Sequence, residues 1–232
     1  MNKVYNIAID GPAGAGKSTI ARAVAERLRF VYVDTGAMYR AMALYFLRNE
    51  VPSGDEEAVS RAAGEVKVTI SYKDGEQQVL LNGENVSGLI RTGEVSAMAS
   101  ATSVYMAVRE KLVELQKELA LKENIIMDGR DIGTCVLPNA DLKIYLTAST
   151  EVRADRRYRE LQEKGEACDR DEIEKEIIER DYRDMHRENS PLKQAEDAVL
   201  VDTSHMTVQE SACRILELFA EKTGKDGKQP WK

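Results

Sequence analysis

The sequence predicts an α/β protein whose parallel sheet is covered by helices, and three observations carry that prediction. Short apolar runs alternate with amphipathic stretches of helical length from the start of the chain. A glycine-rich loop directly follows the first apolar run. Two later runs, "NIIMD" (124–128) and "LKIYLT" (142–147), have the composition of parallel strands that are buried on both faces.

The first half of the chain establishes the alternation of strand and helix. We expect a strand over 4–10 and a helix over 17–28, followed by a short strand at 31–33 and a helix over 36–48. The segment "PSGDEEAV" (52–59) interrupts the pattern and starts another helix. This βαβα order favours a parallel sheet.

A hairpin then interrupts this order. Residues 66–72 alternate apolar and polar side chains with a period of two, and "QQVLLNG" (77–83) returns after the turn "KDGE". We therefore expect an antiparallel insert over about 64–92.

The second half returns to helices and buried strands. Helical spacing resumes over about 93–121. The remaining expected elements are strands at 124–128 and 142–147, charged helices over about 150–163 and 169–187, a strand at 198–203 and a helix over about 207–222. Residues 223–232 have the composition of a polar tail.

Composition and charge exclude several classes of protein. The 232 residues are 43% hydrophobic and 31% charged, which is typical of a globular chain and not of a disordered one. No apolar stretch approaches the roughly 18–20 residues that span a bilayer, and the N-terminus lacks the features of a signal peptide. The net charge of −7 disfavours a nucleic-acid-binding surface. The three cysteines are odd in number and far apart, so we expect reduced thiols and a cytoplasmic protein.

Residues 11–18, "GPAGAGKS", match the phosphate-loop pattern G-x-x-x-x-G-K-[ST] between a strand and a helix. Glycines let successive backbone N–H groups converge on phosphate oxygens, and the helix N-terminus adds partial positive charge. Lys17 would reach the β- and γ-phosphates of ATP, and the Ser18 hydroxyl would lie near Mg²⁺. The residues predicted to bind ATP are Gly11, Pro12, Ala13, Gly14, Ala15, Gly16, Lys17, Ser18 and Thr19.

Two charged helices carry arginines at helical spacing, which places the side chains of each set on one face. The earlier helix carries Arg153, Arg156 and Arg157. The later helix carries Arg180, Arg183 and Arg187, with the carboxylate of Asp184 on the same face. A solvated face with Asp–Arg pairs would give the same pattern. In a protein that binds ATP, arginines can also surround a migrating phosphoryl group and exclude water on closure. We therefore interpret this region as a lid.

The segment "MDGRDIGT" (127–134) packs Asp128, Arg130 and Asp131 into four positions after a buried strand. Such a segment could hold a metal, clamp a phosphate, read a base or simply make a turn. Asp128 ends the strand near the place where phosphate-loop proteins often put a carboxylate that faces the metal. It could equally orient the loop through backbone hydrogen bonds.

Seven segments together resemble the bacterial cytidylate (CMP/dCMP) kinase family. In chain order they are "IAIDGPAGAGKSTIA", "VDTGAMYRA", "IRTGEVS", "VRE" at 108–110, "MDGRDIGT", "RDYRDMHR" and "SPLKQAEDAVLVDT". The resemblance implies a phosphate-loop kinase with a parallel sheet core flanked by helices, an antiparallel insert that binds the nucleoside monophosphate, and a helical arginine-rich lid. We expect a single domain over 1–222, with core segments at about 1–63, 93–150 and 188–222, the insert at 64–92, the lid at 151–187 and the tail at 223–232.

The resemblance also implies which residues bind the nucleoside. Thr35 would approach the sugar, and Arg40 would approach the monophosphate. Ser100, Arg109 and Asp131 would face the cytosine. The cytosine edge offers an N4 amino donor, which a carboxylate or hydroxyl can accept, and the acceptors N3 and O2, which an arginine can meet.

Further residues receive phosphate, sugar and catalytic roles from the same resemblance. Arg130 and Arg187 would hold the monophosphate, and Arg180 and Asp184 would engage the sugar hydroxyls or neighbouring oxygens. The residues predicted to be catalytic are Lys17, Arg130, Arg153 and Arg157. The residues predicted to hold the metal are Ser18 and Asp128.

The resemblance implies that the γ-phosphoryl group of ATP passes directly to CMP or dCMP with Mg²⁺, in pyrimidine metabolism. The acceptor is already an ionised oxygen, so neither a covalent intermediate nor a strong general base is needed. A kinase for another monophosphate such as UMP, or for a metabolite such as shikimate, stays open, although the cytosine-reading trio argues against the second. A nucleotide-dependent switch would need a guanine-reading N-K-x-D segment, which the sequence lacks. We expect a monomer, since nothing demands a dimer.

Overall fold

The computed structural model describes residues 3–73 and 76–224. These residues form two compact units. The phosphate-loop unit contains 3–32 and 124–224, and the second unit contains the described residues of 33–123.

The strands and helices follow the predicted order. The strands are β1 (Asn6–Asp10), β2 (Val31–Asp34), β3 (Val68–Lys73), β4 (Glu76–Leu81), β5 (Glu84–Asn85), β6 (Ile125–Gly129), β7 (Leu142–Thr147) and β8 (Val199–Asp202). The helices are α1 (Lys17–Leu28), α2 (Thr35–Arg48), α3 (Glu56–Glu65), α4 (Gly93–Thr102), α5 (Met106–Lys122), α6 (Thr150–Glu163), α7 (Arg170–His186) and α8 (Val208–Thr223). One turn of π-helix, Ile132–Val136, follows β6.

The main sheet has five strands in the order β2-β6-β1-β7-β8, and β1 pairs in parallel with both β6 and β7. The register sets Ile9 opposite Asp128 and Asp10 opposite Gly129, so β1 and β6 end side by side. Ligands of open α/β sheets bind beyond the carboxyl ends of such strands. The predicted α/β fold with a parallel core is therefore confirmed.

The core of the phosphate-loop unit is the apolar interior of this sheet with α1 and α8. Ile7 and Ile144 of neighbouring strands are buried, and α1 buries Val24 and Leu28 at helical spacing against the same cluster. Burial of each such side chain contributes about 1.5–3 kcal/mol relative to leaving it exposed. Packing against the sheet and α8 fixes the position of α1, whose first turn contains the end of the phosphate loop.

The second unit contains the predicted hairpin. β3 and β4 pair antiparallel from Val68 opposite Leu81 to Lys73 opposite Glu76, which confirms the antiparallel sheet. Residues 74–75 at the tip of the expected turn lie outside the described residues. The short strand β5 extends this sheet and was not expected from the sequence. β5 has only two residues, which is too few for an alternation of apolar and polar side chains to be recognised.

The predicted helical stretch 93–121 consists of two helices. α4 ends at Thr102, and α5 begins at Met106 after an extended Tyr105. The Tyr105 hydroxyl donates to the carbonyl of Ser53 at 2.9 Å, which anchors the break. The apolar spacing continues across the break, so periodicity alone could not locate it.

Gly224 caps α8 with a φ of 65°, and the predicted polar tail lies outside the described residues from 225 onward. Cys135, Cys168 and Cys213 are free thiols. No helix within 3–73 and 76–224 has the length and apolar character that crossing a membrane requires.

Candidate active site

The phosphate loop leaves β1 at Gly11, where only glycine fits. A Cβ at this position would lie 1.9 Å from the carbonyl oxygen of Leu146. Gly14 and Gly16 have φ angles of 75° and 88°, in the left-handed region that side chains disfavour. Gly16 is the residue that caps the start of α1. The loop can therefore curl tightly and present α1's first N–H groups to an anion.

Lys17 lies buried inside this loop. Its Nζ donates to the carbonyl of Pro12 at 2.7 Å. Burial lowers the pKa of Lys17 well below its ordinary value, and the positive charge of Arg130 acts in the same direction. A phosphate oxygen beside Nζ would offset both effects. The position therefore suits a lysine that binds phosphate.

Ser18 and Asp128 place two oxygen ligands together. The Ser18 hydroxyl donates to Oδ2 of Asp128 at 2.9 Å, and the Tyr32 hydroxyl donates to Oδ1 at 2.8 Å. Among the described residues no three His, Cys, Asp or Glu side chains cluster as a metal site. Mg²⁺ is usually bound by one or two protein oxygens, substrate phosphates and water, so this pair fits Mg²⁺ held with ATP.

The turn after β6 carries Arg130 and Asp131, and α7 and the residue that caps its C-terminus supply a partner to each. Arg130 Nε donates to Oδ2 of Asp184 at 2.8 Å, and Arg187 Nη2 lies 3.6 Å from Oδ1 of Asp131. Burial alone would raise the pKa of Asp184, but its arginine neighbours, Arg130 foremost, hold it below the ordinary value. Three of the four members of these pairs are predicted to hold phosphate or sugar.

Asp10, at the end of β1, was missed by the sequence reasoning. Its two carboxylate oxygens accept the backbone N–H groups of Ile132 and Gly133, each at 2.7 Å. Burial raises the pKa of Asp10 to about 6, and these two hydrogen bonds oppose that shift. "NIAID" and "NIIMD" both end a buried strand in Asp, so the signal was present in the sequence.

The three arginines of the predicted stripe on α6 have different environments. Arg153 is buried, donates to the carbonyl of Ala13 at 3.0 Å and lies 2.6 Å from Asp181 of α7. Arg156 donates to the carbonyl of Thr203 at 2.7 Å. Arg157 is exposed and pairs with Glu160. The stripe therefore divides: Arg153 fastens the phosphate loop at Ala13, Arg156 joins α6 to Thr203 and also reaches the carbonyl of Ala15 at 3.5 Å, and Arg157 faces solvent.

The buried face of α7 differs by one residue from the predicted stripe. Asp181 and Asp184 are buried and Arg180 is half-buried, whereas Arg183 is exposed. Asp181 follows Ile173 and Ile177, which are also buried, at spacings of eight and four. That spacing could have identified Asp181 from the sequence.

The start of α2 in the second unit is held by its own cap and by the hairpin. The Asp34 carboxylate accepts from Ala37 N–H at 2.8 Å and lies 3.2 Å from Arg40 and 3.3 Å from Arg91. The side-chain amide of Gln77 accepts from Asp34 N–H at 2.7 Å and donates to its carbonyl at 3.2 Å. No local pattern marked Gln77, because these partners are distant in sequence.

Thr35, Ser100 and Arg109 also lie in the second unit. Thr35 is the buried first residue of α2. The Ser103 hydroxyl donates to the carbonyl of Ser100 at 3.1 Å, and Arg109, which is buried, donates to the carbonyl of Ser103 at 3.4 Å. Ser103 thus links two of the predicted base-reading residues, while the third, Asp131, belongs to the phosphate-loop unit.

Comparison with known proteins gives consistent sequence matches over nearly the whole chain. The cytidylate kinase family model matches residues 7–221. A cytidylate kinase of Listeria innocua is 52% identical over 223 residues, which cover 96% of this chain and 99% of the relative. Cytidylate kinases of Lactobacillus johnsonii and Caldicellulosiruptor saccharolyticus are each 48% identical, covering 96% and 97% of this chain and 96% and 99% of the relative.

Solved structures resemble the chain in fold. The shikimate kinase of Acinetobacter baumannii, solved with shikimate, has a TM-score of 0.50 at 18% identity and covers 96% of this chain and 97% of its own. An uncharacterized protein from Eubacterium ventriosum has a TM-score of 0.51 at 13% identity, covering 94% and 99%. At these identities the likeness concerns the fold alone.

Proposed function

The chain belongs to the cytidylate kinase family, and we propose that it transfers the γ-phosphoryl group of ATP to CMP or dCMP. It is thus an enzyme, a phosphotransferase that makes CDP or dCDP. The observation that carries the site assignment is the turn after β6. It presents Arg130 and Asp131 beside the end of β1, where the phosphate loop begins.

We propose that the phosphate loop holds ATP. The backbone N–H groups of residues 11 and 13–19 would surround the phosphates, as the left-handed glycines allow, while Pro12 has no N–H to donate. Lys17 would move its ammonium from the Pro12 carbonyl to the β- and γ-phosphate oxygens, which relieves the burial of its charge. Ser18 and Asp128 would hold Mg²⁺, which neutralises phosphate charge when bound.

For CMP, we propose the residues that the family resemblance named, unit by unit. In the phosphate-loop unit Arg130 and Arg187 would hold the monophosphate, and Arg180 and Asp184 the sugar side. Asp131 would accept from the cytosine N4 amino group, a donor that uracil lacks. In the second unit the residues are Thr35, Arg40, Ser100 and Arg109.

The chemical step then rests on positioning and charge. The attacking phosphate oxygen is already ionised, so the protein supplies no strong base. Lys17 and Arg130 would stabilise negative charge that spreads over the transferred group. Arg153 would keep α6 against the phosphate loop through Ala13 and against α7 through Asp181, while exposed Arg157 pairs only along its own helix with Glu160 and suits a closing lid. That the enzyme is a cytoplasmic monomer stays a prediction.

The test is direct detection of CDP from ATP, Mg²⁺ and CMP by ion-exchange chromatography. The wild type should form CDP, and Lys17→Ala should lower kcat at least about a hundredfold while far-ultraviolet circular dichroism stays unchanged. Lys122→Ala, at an exposed lysine of α5, is the matched control and should keep the wild-type rate. Absence of CDP with the wild type would refute the function. Near-normal turnover of Lys17→Ala would refute only the role of that lysine.

A further inference from the structure

Asp10 is a buried carboxylate for which the proposed chemistry has no use. Only 4% of its surface is exposed, and each of its two oxygens accepts one backbone N–H, from Ile132 and Gly133, at 2.7 Å. A buried carboxylate is costly unless hydrogen bonds compensate it. Two short bonds from consecutive amides give this compensation and fix the orientation of the carboxylate.

These two amides begin the π-helical turn Ile132–Val136. The first N–H groups of any helical turn have no partner within it. Ile132 follows Asp131, whose own carbonyl accepts from Cys135 N–H at 2.8 Å and whose side chain makes no capping bond to this turn. Asp10 therefore caps the turn from a different strand, 122 and 123 residues away in the chain.

The hydrogen bonds join two segments with separate tasks. Asp10 is the last residue of β1 and directly precedes Gly11, the first residue of the phosphate loop. Ile132 directly follows Arg130 and Asp131, to which we assign the monophosphate and the cytosine. A shift of the turn relative to β1 would move both side chains away from the phosphate loop.

The space around the carboxylate is closely filled. A Cβ added to Gly133 would lie 3.3 Å from Oδ2 of Asp10 and 3.2 Å from Cδ of Lys143. Both distances are shorter than ordinary van der Waals contact. The turn can therefore approach Asp10 this closely because residue 133 is glycine.

We infer that Asp10 is a positioning residue. It fixes the π-helical turn Ile132–Val136 against the start of the phosphate loop, and with this turn it fixes Arg130 and Asp131, which directly precede it. The inference rests on the proposed function, because it assigns Asp10 a part in selecting the acceptor nucleotide. Asn at this position would turn an amide NH₂ towards one of two N–H donors, so one hydrogen bond would be lost and two donors would face each other.

The test is the ratio of kcat/KM for CMP to kcat/KM for UMP in the full-length enzyme. Asp10→Asn should lower this ratio by about tenfold, because a displaced Asp131 no longer accepts from the N4 amino group. Asp141→Asn is the matched control. Asp141 also accepts a backbone N–H from β1, that of Asn6 at 2.9 Å, but at the opposite end of the strand. Its ratio should stay within about twofold of the wild type.

A loss of packing alone would not change selectivity, so three results would overturn the inference. They are an unchanged ratio in Asp10→Asn, an equal fall in Asp141→Asn, and unchanged amide hydrogen exchange at Ile132 and Gly133 in Asp10→Asn. Exchange is measured without substrate, so it reports on the turn even if the wild type fails to phosphorylate CMP. That failure would instead refute the proposed function.

Gly133→Ala disturbs the same contact from the other side and leaves Asp10 in place. Its added methyl group must displace the turn or the Lys143 side chain by a few tenths of an ångström. If Asp10→Asn does not fold, this variant decides the question, with a several-fold lower CMP to UMP ratio expected. An unchanged ratio in Gly133→Ala together with faster exchange at Ile132 would contradict the inference.

Discussion

The Ser18 hydroxyl lies 2.9 Å from Oδ2 of Asp128, which joins the first turn of α1 to the end of β6. The other oxygen of the same carboxylate accepts from the Tyr32 hydroxyl at 2.8 Å. Two roles for Asp128 were open at the level of the sequence: facing Mg²⁺ or ordering the loop. The pairing with Ser18 favours the first role, since the Ser18 hydroxyl oxygen and Oδ2 of Asp128 both suit one hard cation.

Asp128→Asn should therefore raise the Mg²⁺ concentration for half-maximal rate by about tenfold, because the proposed site loses the negative charge of this carboxylate. The measurement is a Mg²⁺ titration of initial rate at saturating nucleotides. Tyr32→Phe is the control, because it removes a donor to Asp128 and keeps the carboxylate. An unchanged titration with a lower melting temperature would assign Asp128 to loop order alone.

Substitution of Arg153 should mainly lower stability, whereas substitution of Arg157 should mainly lower turnover. Arg153 and Asp181 form a buried pair, so Arg153→Ala should lower the free energy of unfolding by about 3–5 kcal/mol. Arg157→Ala removes an exposed pair and should change it by less than about 0.5 kcal/mol while lowering kcat. Urea denaturation and steady-state kinetics of the two variants measure this. A wild-type kcat in Arg157→Ala would leave that residue a solvated surface arginine.

Gln77 should tune the affinity for CMP through the start of α2. Its amide holds both backbone groups of Asp34, which precedes Thr35. Gln77→Ala should raise the KM for CMP several-fold and leave the KM for ATP unchanged, since a buried backbone pair loses its partner. Gln78→Ala, at the next position of β4, should keep both constants. Equal effects of the two variants would mean a general loss of hairpin stability.

The raised pKa of Asp10 predicts a pH-dependent contribution to stability. Its folded pKa of about 6 exceeds the ordinary 3.8, so the native state binds this proton more tightly than the unfolded chain. The stabilisation is complete below about pH 4 and is lost as the pH rises through about 6. The unfolding free energy of the wild type minus that of Asp10→Asn should rise by about 2–2.5 kcal/mol when the pH falls from 7 to 4. A difference independent of pH would contradict this ionisation.

Much of the fold and part of the site follow from local patterns. The phosphate loop, the βα alternation and the β3–β4 hairpin are each specified within a few residues, so the sequence predicts them. At the break between α4 and α5, Tyr105 donates to Ser53, and the Gln77 side chain contacts Asp34. In both contacts the partners are more than 40 residues apart in the sequence, so neither contact leaves a local signal. Asp10 and Asp181 lie within recognisable strand and helix patterns, but the sequence does not predict their roles. A buried aspartate is recognised as such only when its hydrogen-bond partners are known.

ADP release across a panel of acceptors shows whether this enzyme phosphorylates cytidine monophosphates. The panel contains CMP, dCMP, UMP, AMP, GMP and shikimate at equal ATP and Mg²⁺. We expect the highest kcat/KM for CMP or dCMP and a preference for CMP over UMP that falls in Asp131→Ala. A higher kcat/KM for any of the other four acceptors would contradict it.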